Sequence, residues 1–156
     1  MFEISTVEVS DIFPLAKLYV EIYQETNCTE LWTIETATEF IKYFFNQSSD
    51  LFFVAKSESI QVGAIWSQIK PWWSGSKVFN LEIFVKKEYR KKGLSKLLFN
   101  KLFKAAVCRY NAKTVEAITF NDRDFPLSYY ERIAITKDKQ LVLLEGSIAD
   151  ILSTLR

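Results

Sequence analysis

The chain has 156 residues, the length of one domain, and with 49% apolar and 15% aromatic residues it can fill a core rather than stay disordered. Its 20 basic and 19 acidic residues leave a net charge of +1, which gives no global pull towards nucleic acid or a membrane, so any hold on an anion must be local. The absence of His excludes a Cys/His zinc site, a Ser-His-Asp triad and a Cys-His dyad, and leaves acid–base chemistry to Glu, Asp, Tyr, Lys or water.

In chain order, Phe2 to Val7 alternates and predicts a first strand. Ser10 or Asp11 caps a helix whose core positions are Ile12, Leu15, Leu18, Tyr19 and Ile22. Pro14 falls in its first turn, where a missing N–H is tolerated. A polar loop covers Thr26 to Leu31, and Thr33 caps a second helix carrying Phe40, Ile41, Phe44 and Phe45. Three strands follow: Leu51 to Ala55, Ile60 to Ile69 and Val78 to Val85, with turns at Ser57 to Ser59 and Pro71 to Ser76. A helix from Leu94 places Leu97, Leu98, Leu102, Ala105 and Ala106 on one face. Thr114 to Phe120 is a strand, Asp124 to Ile133 a short helix, Leu141 to Leu144 a late strand, and Ser147 to Leu155 a helical tail.

Three consecutive strands imply an antiparallel meander, and strand–helix–strand from Val78 to Phe120 implies a parallel crossover. The fold expected is α/β: one domain over 1–156, a mixed sheet flanked by helices. Cys28, in a loop, and Cys108, on the core face of a helix, are expected to be free thiols. With no signal-peptide pattern and no long apolar run, the expected location is cytoplasmic.

The most informative stretch is Leu81 to Leu98, a buried strand that enters a basic loop with one glycine and opens onto a helix. Gly93 allows a tight turn. Lys91, Lys92, Gly93, Leu94 and Ser95 present N–H groups at the helix start, and Arg90, Lys91, Lys92 and Lys96 add positive charge. Such a loop suits phosphate or pyrophosphate. Neither G-x-x-x-x-G-K-[ST] nor G-x-G-x-x-G is present. Taken alone, the basic run reads first as a solvated run that caps a strand end.

In context, Arg90-Lys-Lys-Gly93-Leu-Ser95 resembles the pyrophosphate motif R/Q-x-x-G-x-G/A of the GNAT superfamily of N-acetyltransferases. The resemblance takes in Ile83-Phe84-Val85 before the loop, Leu97-Leu98 after it, and the element order of nearly the whole chain. Ser95 stands where the family has Gly or Ala. The resemblance implies an acyl-CoA N-acyltransferase fold with splayed parallel strands 4 and 5. It implies acetyl-coenzyme A as cosubstrate, with no metal. The pyrophosphate would lie on Arg90 to Ser95, the pantetheine arm along Ile83, Phe84 and Val85, and Asn121 would contact the coenzyme.

Acetyl transfer needs a deprotonated amine, a donor for the oxyanion and a proton for the leaving thiolate. The family's pattern N-x-x-A…Y-e-k-x-G-F places its acidic Tyr at Tyr130, with Tyr129 as rival; Ala134-Ile135 replaces Gly-Phe and Pro126 sits near the helix start. Glu82, an acid in an apolar strand, is the candidate base; the other reading is an ion pair with Lys or Arg on a neighbouring strand. Glu25, Glu30, Trp32, Trp72 and Trp73 occupy the acceptor-site positions of the family, and aromatic walls with carboxylates suit a cationic amine. Taken singly, each Trp reads first as packing on the sheet edge or at a dimer contact.

The expected function is acetyl-CoA-dependent N-acetyl transfer to a primary amine of a small molecule or peptide. The alternative is a non-catalytic acyl-CoA-binding or partner-binding domain on the same fold. No nucleic-acid or membrane partner is expected, and a homodimer through the tail helix stays open.

Overall fold

The computed structural model describes residues 1–26 and 28–155; Asn27, within the expected polar loop, and Arg156, the last residue of the expected domain, lie outside the described residues. The chain divides into two compact units, Met1–Ile118 and Thr119–Arg156.

The first unit holds a five-stranded sheet in the order β1-β2-β3-β4-β5. Its strands are β1 (Glu3–Thr6), β2 (Phe52–Ser57), β3 (Ile60–Trp72), β4 (Gly75–Val85) and β5 (Thr114–Val115), and its helices are α1 (Ile12–Glu25), α2 (Ile34–Ser48) and α3 (Leu94–Tyr110). The first four strands pair antiparallel, and β5 joins β4 in parallel. This is the mixed sheet expected.

Local chemistry explains the helix starts. Thr33 accepts from the Thr36 N–H at 3.1 Å, and the Thr36 hydroxyl accepts from the Thr33 N–H at 3.0 Å, so α2 opens with a reciprocal cap. Asp11 precedes α1, and its carboxylate instead accepts from the Glu8 N–H at 3.0 Å. It also pairs with Lys56 at 2.8 Å and Gln61 at 2.7 Å on the neighbouring strands. Burial raises the Asp11 pKa, but the Lys56, Glu8 and Gln61 hydrogen bonds outweigh it and hold it below the usual range.

Both faces of the sheet are covered, so β2 and the middle of β3 are buried almost throughout. Alternate residues Phe52, Val54, Ala64, Trp66 and Phe84 pack with Leu15, Tyr19 and Ile22 of α1 and Ile41 and Phe44 of α2. On α3 the buried residues are Leu94, Leu98, Phe99, Leu102 and Ala106. Leu97 and Cys108 were expected inward and are exposed. They are eleven residues apart, about three turns, and so share the outer line of the helix.

β3 and β4 run further than their turn residues suggested. Pro71 and Trp72 stay in β3, opposite Ser76 and Gly75, and Trp73 and Ser74 make the turn. Beyond Trp66, β3 has lost β2 as a neighbour, so Pro71 withdraws no needed ladder donor.

The expected strand Thr114–Phe120 shrinks to two residues, because β4 breaks its own ladder alongside it. Trp66 faces Glu82 and Gln68 faces Phe79, which leaves one extra residue on β4 around Asn80. Asn80 takes a left-handed φ of 48°, and its Nδ2 donates to Gln68 Oε1 across the strands at 2.7 Å. Pairing of β5 with β4 ends at Val115, with one further bond from the Glu116 N–H to the Val78 carbonyl at 2.9 Å. A bulge bends its strand. Past it, Leu81–Val85 has β3 on one edge and no strand on the other among the described residues. Strands 4 and 5 thus diverge, as expected.

The second unit contains α4 (Asp124–Arg132) and α5 (Ile148–Thr154), the latter capped by Ser147. Leu141–Leu144 forms no strand and its side chains are exposed. An apolar run becomes a strand only with a ladder partner, and this unit has no strand among its described residues. Among the described residues, no helix is long and apolar enough to cross a membrane.

Candidate active site

The loop after β4 is built to leave donors free. A turn of 3-10 helix over Lys87–Tyr89 ends at Arg90; Lys91 then takes φ 60° and Gly93 φ 80°, both left-handed. Alternation of this kind turns successive N–H groups to one side, as in an anion nest. The first helical bond of α3 runs from the Leu97 N–H to the Gly93 carbonyl at 3.2 Å, and no side chain caps the helix. The N–H groups of Leu94, Ser95 and Lys96 are therefore the orphan donors of a helix start, beside exposed Lys91 and Lys92.

Arg90 has a different local role from its neighbours. Its Nε donates to the Val85 carbonyl at 2.9 Å and its guanidinium lies 3.6 Å from Glu25 at the end of α1. It ties the loop to the end of β4. Ile83 is half-buried, while Phe84 and Val85 are buried, so β4 offers a backbone edge here.

Where β4 and the segment after β5 part, a cavity of about 230 Å³ opens, lined by Phe40, Phe44, Trp66, Asn80, Glu82, Glu116, Ala117 and Ile118. Glu116 is neutralised by Lys70 and by Lys77, the latter at 3.6 Å. Glu82 has no cationic partner among the described residues. Its Oε1 accepts from the Tyr23 hydroxyl at 3.0 Å, so the expected alternative of a Lys or Arg partner is replaced by a phenol. By surface area the residue is half-buried, yet its surroundings are dense enough that burial governs its titration. Burial pushes its pKa up to about 7, the Tyr23 hydrogen bond pulls it down, and the nearby Glu30 charge pushes it up.

A second cavity of about 390 Å³ is lined by Val20, Tyr23, Gln24, Cys28, Glu30, Leu31, Trp32 and Thr33. Trp32 Nε1 donates to Glu30 Oε2 at 2.7 Å, and the Trp32 ring meets Tyr19, Tyr23 and Phe40. The fold thus brings Glu30, Trp32 and Glu82 around one aromatic cluster. Trp72 and Trp73 sit at the β3–β4 hairpin end and line neither cavity; Trp72 is six residues, roughly 20 Å, along β3 from Trp66. Lys70 and Lys77 lie over the Trp72 ring at 4.8 and 4.3 Å.

In the second unit, Asn121 is exposed and accepts from Lys137 Nζ at 2.5 Å. Tyr130 on α4 is buried and Tyr129 half-buried. Regular helix geometry is interrupted at Phe125, before Pro126. The helix ends on Ala134 at φ 64°, with the Ile135 N–H bonded to the Tyr130 carbonyl at 2.9 Å. A left-handed residue after a helix is normally Gly. Ala134→Gly is accordingly expected to stabilise the chain by roughly 1 kcal/mol, read as a higher urea midpoint.

Tyr23 is the site residue that sequence reading missed. It lies 59 residues from Glu82. Its one signal was its place four residues after Tyr19 on the buried stripe of α1.

A family model described as the acetyltransferase (GNAT) family matches residues 15–134. Among solved structures, a possible acetyltransferase from Clostridium difficile 630 superposes with a TM-score of 0.79 at 18% identity, over 95% of this chain and 99% of that one. A predicted acetyltransferase from Clostridium acetobutylicum, solved with acetyl-CoA, gives 0.75 at 14% identity over 93% and 96%. The aminoglycoside N-acetyltransferase AAC(6')-Iy in complex with CoA gives 0.74 at 12% identity over 94% and 95%. At such identities the likeness is one of fold. No curated protein matches the sequence.

Proposed function

The chain belongs to the acetyltransferase (GNAT) family, and from that premise we propose that it is one domain over 1–156 that moves acetyl from acetyl-CoA to a primary amine of a small molecule or peptide by direct transfer. The observation that carries this is the pairing of two features on β4. A neutralisable carboxyl, Glu82, faces a cavity where β4 and β5 part, and an orphan-donor loop begins where β4 ends. The loop from Lys91 to Ser95 receives the pyrophosphate, with Arg90 bracing it, and the free edge of Ile83, Phe84 and Val85 receives the pantetheine arm. Two of the similar structures hold CoA or acetyl-CoA, which supports the same ligand here.

Glu82 takes the proton of the incoming ammonium, directly or through water. A base with a pKa near 7 is matched to neutral pH. A backbone N–H stabilises the oxyanion, and Tyr130 protonates the departing thiolate. Ala134 at φ 64° holds the helix end where the family pattern has its Gly, and this register favours Tyr130 over Tyr129. Asn121 contacts the coenzyme by the same pattern. Glu30 and Trp32 supply carboxylate and aromatic wall for a cationic acceptor.

Coenzyme A binding by calorimetry, followed by thiol release across an amine panel, tests the proposal. Absence of binding sinks it. Binding without turnover on any amine favours a non-catalytic acyl-CoA-binding domain. Tyr130→Phe is expected to keep coenzyme affinity and lower kcat by about 10²-fold. Unchanged turnover would reassign the acid.

A further inference from the structure

We propose that Tyr23 is the positioning residue of Glu82: its hydroxyl holds Oε1 and leaves Oε2 as the oxygen that meets the acceptor amine. This rests on the acetyl-transfer reading above for the acceptor amine and for its kinetic consequence; the hold of Tyr23 on Glu82 does not.

The geometry is specific. Tyr23 stands in the last turn of α1, and its hydroxyl reaches across to β4 to donate to Glu82 Oε1 at 3.0 Å. Its ring is clamped. Tyr19, one turn earlier, stacks on it at 4.3 Å with planes 27° apart, and Trp32 meets it edge-on at 6.2 Å. Trp32 is itself held by Glu30. The phenol therefore arrives in one orientation, and a group fixed by packing positions its partner with little entropy left to lose.

Tyr23 cannot exchange roles with Glu82. Burial first, then the Glu82 charge, pushes the Tyr23 pKa above its ordinary value, so it stays a neutral donor across the pH range in which Glu82 titrates. Tyr19 is pushed the same way. The other charged groups near Glu82 are Glu30, which raises its pKa, and Glu116 in the shared cavity, which Lys70 and Lys77 neutralise. From β3 and α2 the cavity receives only the uncharged Trp66, Phe40 and Phe44. Of the neighbours that act on the Glu82 carboxyl, the Tyr23 hydroxyl is the one that favours its ionised form.

The test is carboxyl titration by NMR with ¹³Cδ-labelled glutamate. In wild type the Glu82 resonance is expected to titrate near pH 7. In Tyr23→Phe, which keeps the ring and removes the hydroxyl, the midpoint moves up by at least half a pH unit. The acidic limb of kcat moves the same way, kcat at pH 7 falls about tenfold, and coenzyme affinity is unchanged. An unmoved Glu82 midpoint in Tyr23→Phe overturns the proposal. A second arm needs no such variant: with ¹³Cζ-labelled tyrosine, the Tyr23 resonance follows the Glu82 titration in wild type and is flat in Glu82→Gln. A Tyr23 resonance indifferent to pH between 6 and 8 in wild type also overturns it. Both titrations work without turnover. Absence of acetyl transfer therefore counts against the reaction, and these NMR outcomes alone count against the role of Tyr23.

Discussion

Gly93→Glu is expected to abolish coenzyme A binding, weakening it by at least about 100-fold while the chain still folds. Gly93 caps α3 at φ 80°, and a Cβ built there meets no protein atom within 4 Å. The protein itself therefore has room for a side chain. Left-handed backbone costs a non-glycine residue roughly 1 kcal/mol, which a folded domain tolerates. The damage falls on the ligand. A carboxylate at this position can turn onto the N–H groups of Leu94, Ser95 and Lys96 and occupy the place an incoming pyrophosphate needs, while repelling its charge. Gly93→Ala separates the causes. It carries the strain without the charge, so it is expected to lose about 1 kcal/mol of stability and to keep more affinity than the Glu variant. Calorimetric titration with coenzyme A reads both. Equal affinity in Gly93→Glu and wild type would remove the loop from the binding site.

Glu82→Gln is expected to lower kcat by 10²-fold or more at pH 8 and to erase the acidic limb of the rate profile. Glutamine keeps an oxygen for the Tyr23 hydroxyl but cannot take a proton. In wild type the rate should rise through an inflection near pH 7, because only the ionised form is a base and its folded pKa is about 7. Stability moves oppositely. A carboxyl whose folded pKa is raised from 4.5 to about 7 keeps a proton in the folded state that the unfolded chain releases. Its stabilising contribution is whole below pH 4.5 and is lost as pH rises through 7. Wild type should therefore lose up to about 3 kcal/mol relative to Glu82→Gln across that window. Urea midpoints at pH 5 and pH 8 measure it. A variant that is slower at pH 8 yet shows the wild-type pH dependence of stability would mean that Glu82 is not the titrating group.

Which parts of this architecture could be read from the residues follows from the range of the interactions. Thr33 and Thr36 cap α2 through contacts three residues apart, so the helix start was legible. Gly93 announced its turn because a left-handed residue at a helix start is a local demand. The bulge on β4 was less visible, although it left a trace. Asn80, a residue depleted in strand interiors and tolerant of a left-handed φ, stands at that point of β4. β5 could not be measured from its own residues, since its length is set by where β4 bends away. Leu141–Leu144 shows the same dependence: an apolar run without a ladder partner carries no strand. Tyr23 was hidden for a related reason. Its partner is 59 residues away, and nothing in α1 distinguishes a tyrosine that packs from one that holds a carboxyl.

The central claim, amine acetylation with Glu82 as base, is tested most directly by thiol release from acetyl-CoA by the wild-type protein across an amine panel from pH 5.5 to 9. Amine-dependent release that rises through an inflection near pH 7 is the expected result. No amine-dependent release at any pH, or release that is level across neutral pH, would contradict it.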